Sequence, residues 1–382
     1  MRSNTETFNV PPKLILINAS YAPSLLTFRG KLIENLLSLG HIVHVSAPDI
    51  ASSVAADLVA MGAVVHELRL ERNGRNPFAD AQYLYDLITL YRAIKPDLII
   101  GYTIKPNIWG SIAASLCGIR SVSMVTGLGF SFSPDRPMRA RIVQSLSRRL
   151  YAFATRANSH VVFQNPDDIV DFVAIGCLGD ARKVLLVNGS GVDTDQFTPT
   201  PLPSVPVFLM IARFLESKGV REYAKAAMLV HERHPGCRFL MVGFPDEGVD
   251  GIAQHELDHW FASGVTNLGQ LDDVRSAIAQ SSVYVLPSYR EGTPRTVLEA
   301  MAMGRAIITT DVPGCRETVH DRVNGLLVPV RNIPALADAM IALAQDAAMR
   351  ANMGTESRKR ALEKYAVEKV NAVLVGGLGL SR

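Results

Sequence analysis

No C-x-x-C pair occurs in the 382 residues, and the four cysteines (Cys117, Cys177, Cys237, Cys315) stand at least 60 positions apart. That spacing suits neither a structural zinc site nor a disulfide framework, so four buried thiols in a reducing cytoplasm are expected. Also missing is any uncharged apolar run of the ~18 residues a membrane-crossing helix needs. Residues 1–12 are polar and lack an apolar signal core, which argues against export. Nor is there a strong excess of either charge: 39 Lys and Arg against 36 Asp and Glu leave a net +3. That is too weak for nucleic acid as a bulk partner.

What the chain does have is apolar content, 48% against 20% charged, as a packed globular protein requires. At ~150 residues per domain, its length suggests two domains. Short apolar runs at 13–18, 41–46, 98–100 and 121–125 alternate with helical patterns such as 28–39. The rhythm restarts at 207–212 and continues at 238–243, 282–286 and 306–309. Buried strands alternating with helices imply an α/β fold, with two doubly wound, Rossmann-like parallel sheets facing a crevice. Four prolines between 197 and 206 read as a stiff connector. The expected division is 1–196, 197–360 and a tail, 361–382, that returns to the first domain.

The most informative segment is PSYREGTPRTVLE, residues 287–299. It follows a strand and opens a helix, with Thr293 as the expected N-cap and Pro294 as the first helical residue. A helix opening at a Gly-containing turn offers backbone N–H groups to an anion such as a diphosphate. Carboxylates there would repel phosphate, so Glu291 and Glu299 should meet neutral hydroxyls, those of a sugar or a ribose. The second segment is IARFLESKG, residues 211–219. Its strand-end loop carries Arg213 and Lys218, two cations able to neutralise a departing diphosphate without a metal.

Glu291 and Glu299 form an E-x7-E pattern. Around it stand NGSGVD (188–193), NLG (267–269), EAMAMG (299–304) and NGLL (324–327). In this order and spacing the chain resembles the family 4 retaining glycosyltransferases, which have the GT-B fold. The resemblance is dense over about 185–330. It implies that Arg213 and Lys218 hold the donor diphosphate and that Glu291 contacts the donor sugar at the reacting centre. It further implies that Gly292, Thr293 and Pro294 form the turn over phosphates and sugar, that Glu299 binds the ribose, and that Leu271 lies beside the base. Such enzymes use a nucleotide-sugar donor and need no metal or other cofactor.

The amino-terminal half, with SYAPSLLTFRG (20–30), YTIKPNIWG (102–110), TGLGF (126–130) and FQNPDD (163–168), is similar to one branch. That branch comprises bacterial transferases adding N-acetylhexosamine to undecaprenyl-diphosphate-linked glycans. The branch implies a UDP-sugar donor, a lipid-linked glycan acceptor and a peripheral place on the inner face of the cytoplasmic membrane. Many family members carry histidines where this chain has 102–105 and Thr126-Gly127. Arg29, Lys105, Asn107 and Thr126 are therefore the candidates for the acceptor side, and Tyr21, Trp109, Phe130 and Phe132 could line its groove or equally belong to the core.

Other readings stay open. A different nucleotide sugar or acceptor, or a UDP-sugar epimerase, would use the same architecture. HELDH (255–259) matches H-E-x-x-H, so His255, Glu256 and His259 could mark a zinc metallohydrolase, against the plainer reading of a solvated helix. Between 135 and 156, Arg136, Arg139, Arg141, Arg148 and Arg149 accompany apolar residues at helical spacing. That pattern suits a helix lying on an anionic membrane, or the charged outer face of a core helix. His41, His44 and His160 sit in strand-like contexts and read as structural.

Overall fold

A computed structural model of the chain describes residues 11–72, 76–128, 138–246, 248 and 250–381, with backbone alone over 138–144. The chain divides into two compact units, Met1–Ser190 with Glu368–Arg382, and Gly191–Val367.

In the first unit seven strands, β1 (Leu14–Asn18), β2 (Ile42–Ala47), β3 (Val64–Glu67), β4 (Leu98–Tyr102), β5 (Arg120–Val125), β6 (His160–Phe163) and β7 (Val184–Leu186), form one sheet. Their order is β3-β2-β1-β4-β5-β6-β7 and every pair is parallel. Alternate side chains serve opposite faces, as a pleated strand demands. Ile15 and Ile17 join Val43, Val45, Leu98 and Ile100 on one face. Leu16 and Ile99 join Tyr83, Leu87 and Tyr91 of the helix Pro77–Ile94 on the other. A strand buried on both sides must be apolar throughout, which is why these runs do not alternate in hydropathy.

The carboxyl-terminal segment packs here as well. Val370, Leu374 and Val375 of the helix Val367–Gly377, followed by Leu378 and Leu380, join the β1–β2 core. His41 holds the segment in place. Its Nδ1 accepts from the Lys13 N–H at 3.1 Å and its Nε2 lies 2.9 Å from the Leu380 carbonyl. With Nδ1 accepting, Nε2 is the ring nitrogen that donates to Leu380.

The second unit holds β8 (Val207–Ile211), β9 (Arg238–Val242), β10 (Val265–Asn267), β11 (Val283–Leu286), β12 (Ala306–Thr310) and β13 (Gly325–Val328). The order is β10-β9-β8-β11-β12-β13, again all parallel. The proline-rich connector lies within this unit. The fully buried Arg305 donates to the Thr200 carbonyl at 2.8 Å and to the Thr200 hydroxyl, while Arg358 donates to the carbonyls of Thr194 and Phe197. Burial pulls the Arg305 guanidinium down to about 10.

Strand order reverses between β1 and β4 in the first unit and between β8 and β11 in the second. Open parallel sheets bind ligands outside the carboxyl ends of the strands at such points.

Candidate functional site

In the second unit the two loops at the reversal are those leaving β8 and β11, and both carry the residues singled out from the sequence. The β8 loop is braced from the side of β9. The N–H groups of Ala212 and Phe214 donate to the Val242 and Phe244 carbonyls, and that of Glu216 to the Asp250 carbonyl. The Ser217 hydroxyl donates to the Asp250 carboxylate. A single 3-10 turn, Glu216–Lys218, then ends at Gly219.

Gly219 has φ +74, and a Cβ there would lie 2.1 Å from the Pro287 carbonyl oxygen. Only glycine permits this conformation and this contact together. The two loops are thereby laid against each other. The Tyr289 N–H donates to the Ser217 carbonyl at 2.8 Å, and the Ser288 hydroxyl to the same carbonyl at 3.1 Å. From the β12 side, the Glu291 N–H donates to the Pro313 carbonyl and the Thr310 hydroxyl to the Ser288 carbonyl.

This bracing brings Lys218 Nζ to 2.5 Å from Glu291 Oε1, while the Ser288 hydroxyl donates to the same oxygen at 2.7 Å. Both side chains are mostly buried, so the pair is screened less than one on open surface. Arg213, half-exposed, pairs with Asp246 at 2.9 Å. Both cations expected at the diphosphate are thus held by carboxylates of the protein.

Glu299 is 6% exposed and pairs with Arg295 at 2.7 Å. Burial raises its carboxyl above the usual range, and Arg295 opposes the shift. The helix runs Arg295–Ala302 with Pro294 as its N-cap residue and no side-chain cap. This is a one-residue shift from the expected start, and the Thr293 hydroxyl donates to the Gly292 carbonyl at 3.0 Å. Leu271 is partly buried against the core beyond the 267–269 turn, whose Gly269 carbonyl accepts from the Gly243 N–H.

A prediction follows from Glu299. A carboxyl raised on folding stabilises the protein below its unfolded value, and that contribution is lost as pH rises through the folded value. The urea midpoint of the wild type should therefore fall relative to Glu299→Gln as pH is raised from about the ordinary carboxylate value toward neutrality. Parallel curves would overturn the assignment.

The acceptor-side candidates fare differently. Asn107 is fully buried and donates to the Met124 carbonyl at 2.9 Å and Tyr151 Oη at 2.6 Å, so it braces the core and cannot reach a ligand in solvent. Arg29 is 4% exposed and lies over the Tyr102 ring at 5.0 Å. Lys105 pairs with Asp80 at 2.6 Å. Thr126 lines a small cavity of about 180 Å³ with Thr103, Ile104 and Tyr151 at the ends of β4 and β5. Phe130, Phe132 and Arg136 lie outside the described residues. Arg139 and Arg141 have only their backbone described, in the helix Met138–Ala157. On that helix Arg148 is half-buried and Arg149 exposed.

The metallohydrolase reading is corrected. Arg221 grips both oxygens of Glu256, at 2.8 and 2.9 Å, and this pairing holds the carboxyl below its usual range. A base so engaged cannot activate a metal-bound water. His255 and His259 point to solvent, and no group of three or more metal-ligating side chains exists among the described residues.

Two contacts escaped the sequence reading. The Arg295–Glu299 pair was legible as an i,i+4 spacing on a helix. Asp246 gave no signal, since 33 residues separate it from Arg213.

Residues 205–346 match the family "Glycosyl transferases group 1", and residues 14–165 match "Glycosyl transferase 4-like". The N,N'-diacetylbacillosaminyl-diphospho-undecaprenol alpha-1,3-N-acetylgalactosaminyltransferase of Campylobacter jejuni is 26% identical over 89% of this chain and 92% of its own length. The UDP-Gal:alpha-D-GlcNAc-diphosphoundecaprenol alpha-1,3-galactosyltransferase of Escherichia coli is 25% identical, over 68% of this chain and 70% of that one. Anabaena Alr3699/HepE, solved in complex with UDP, shares the fold with a TM-score of 0.78 at 17% identity, over 96% of this chain and 99% of that one. Two matched domains on two parallel sheets, with the E-x7-E pair and its cations at a strand reversal, make this chain a glycosyltransferase of family 4 with the GT-B fold.

Proposed function

We propose that the chain transfers an N-acetylhexosamine from a uridine-diphosphate donor to an undecaprenyl-diphosphate-linked glycan, with retention at the anomeric carbon and without a metal. The observation that carries the donor half is the Lys218–Glu291–Ser288 cluster at the β8/β11 reversal, with Arg213 on the same loop. Lys218 and Arg213 hold the diphosphate, Glu291 orients the sugar, and Glu299 takes the ribose hydroxyls. The bond from the anomeric carbon to the diphosphate oxygen breaks. A bond to the acceptor oxygen forms on the same face, and the acceptor proton leaves with the diphosphate. Charge growing on the departing oxygen is met by the two cations and the start of the helix Arg295–Ala302. The acceptor half is supported by the names of the Campylobacter and Escherichia relatives, both of which act on undecaprenyl-diphosphate-linked sugars.

The test is UDP release from a panel of donor sugars, with and without undecaprenyl-diphosphate-linked acceptors, in the presence of chelator. Acceptor-dependent release from one N-acetylhexosamine donor, unaffected by chelation, is expected. A donor that changes without any acceptor would identify an epimerase, and release that needs added zinc would overturn the metal-free mechanism.

A lipid-linked acceptor also calls for contact with the membrane. No helix among the described residues is long and apolar enough to cross one. The helix Met138–Ala157 instead exposes Leu146 (59%) and Phe153 (54%), seven residues apart on one face, with Arg149 between them. Replacing Leu146 and Phe153 with serine and Arg149 with alanine should cut co-sedimentation with phosphatidylglycerol vesicles about tenfold. Unchanged co-sedimentation would remove this face from consideration.

A further inference from the structure

The helix Val220–Arg233 begins just past Lys218 and Gly219, and Glu222 lies in its first turn. Glu222 is 8% exposed. The Tyr289 hydroxyl donates to Glu222 Oε1 at 2.7 Å, while Glu222 Oε2 has no hydrogen-bond partner among the described residues. Arg331, between β13 and the helix Ile333–Gln345, sets its guanidinium 4.5 Å from the Tyr289 ring centroid. Three elements, the β11 loop, the helix after Lys218 and the loop after β13, thus meet at one phenol.

Burying a carboxylate opposes folding, the more so with one oxygen unpaired. Packing does not call for it, since phenylalanine at 289 beside an apolar side chain at 222 would fill nearly the same space. What the polar pair adds is direction. A charge-assisted O–H···O bond holds its two ends within a narrow range of length and angle, whereas apolar contact lets a loop slide. Burial, and after it the bond to Glu222, keeps the Tyr289 phenol above its usual range, so at neutral pH it remains the donor.

The place of Tyr289 in the chain gives that direction a use. Its N–H donates to the Ser217 carbonyl at 2.8 Å, next to Lys218. Ser288, just before it, donates its hydroxyl to Glu291 Oε1, just beyond it. The β11 loop is therefore pinned to the β8 side at two points, by the Tyr289 backbone on Ser217 and by the Tyr289 side chain on Glu222. Two points stop the loop from turning about either one. We propose that Tyr289 is a positioning residue for the transfer, acting through Glu222 to hold Ser288 and Glu291 where the reacting sugar needs them. The proposal rests on the transferase reading above. A misplacement of about 1 Å near a reacting centre can cost about 100-fold in rate. With the backbone pin intact, loss of the side-chain pin should cost about tenfold.

Two readouts test it. In the first, Tyr289→Phe and Glu222→Leu should each lower kcat about tenfold, with the Kd for UDP changed by no more than about twofold. Glu222→Gln still accepts from the phenol and should lose no more than about threefold. In a Glu291→Ala background Tyr289→Phe should cost nothing further, because the group it positions is gone, whereas a merely structural role would multiply the two losses. The second readout needs no turnover. Amide hydrogen exchange over 287–294 should quicken about tenfold in Tyr289→Phe, with exchange over β8 and β9 unchanged. Quickened exchange in a protein that transfers no sugar would keep Tyr289 as the fastener of the loop and sink the transferase reading. Normal kcat in Tyr289→Phe, or a further tenfold loss in the Glu291→Ala background, would overturn the proposal and leave the transferase standing. Unchanged exchange overturns the proposal whether or not the wild type transfers sugar.

Discussion

Alanine at Lys218 or at Glu291 should lower kcat about 100-fold or more, close to 2.7 kcal/mol of barrier. The two losses should differ in kind. Lys218 carries the charge that faces a departing diphosphate, so Lys218→Ala should also weaken UDP binding, by about tenfold or more. Glu291 sits 2.5 Å from that ammonium, and its carboxylate repels a diphosphate. Glu291→Ala releases Lys218 for the ligand. It should leave the Kd for UDP unchanged or lower it, while turnover collapses. Such a split between binding and rate is the mark of a group that acts on the reacting sugar and not on the nucleotide. Calorimetric titration with UDP, beside steady-state rates for both purified variants, checks the pair. Near-normal kcat in both would remove this cluster from the chemistry.

The second large effect is structural in origin. Gly219→Ala should abolish detectable transfer and weaken UDP binding, with no charged group altered. The substitution incurs the ~1–2 kcal/mol cost of left-handed backbone for an L-residue. It also drives a methyl to 2.1 Å from the Pro287 carbonyl, far inside contact distance. Relief requires the β8 and β11 loops to part, which separates Lys218 from Ser288 and Glu291. A lowered melting temperature should accompany the loss, at about 2–4 °C per kcal/mol for a unit of this size. Gly236→Ala is the control, because a Cβ there meets nothing within 4 Å. If Gly219→Ala retains both melting temperature and UDP affinity, the close approach of the two loops is not what builds the site.

Legibility in the sequence followed element length and chain distance. The runs at 13–18, 207–212 and 238–243 emerge as β1, β8 and β9, because a strand buried on both faces leaves an unbroken apolar mark. The strands β3, β7, β10 and β13 had gone unread. Each has only three or four residues, most of them not fully buried, too few to show a period. The glycine-rich segment from 373 carried no pattern either. Its helical part is read only against the sheet it packs on, with Gly377 placed where a Cβ would strike Leu185 at 2.7 Å.

By itself the sequence determined the α/β class, the two-domain plan, the strand-to-helix turn at 287–299 and the residue types able to hold a diphosphate and two sets of hydroxyls. These are local properties, written in periodicity and spacing along neighbouring residues. Only the tertiary structure decided which of those groups are engaged. It set Lys218 against Glu291 across 73 positions, gave Arg213 to Asp246 and Glu256 to Arg221, and sealed Asn107 in the core. The reason is physical: a side chain's partner and its exposure depend on which strands lie side by side, and parallel strands are joined through crossovers that bring distant residues together.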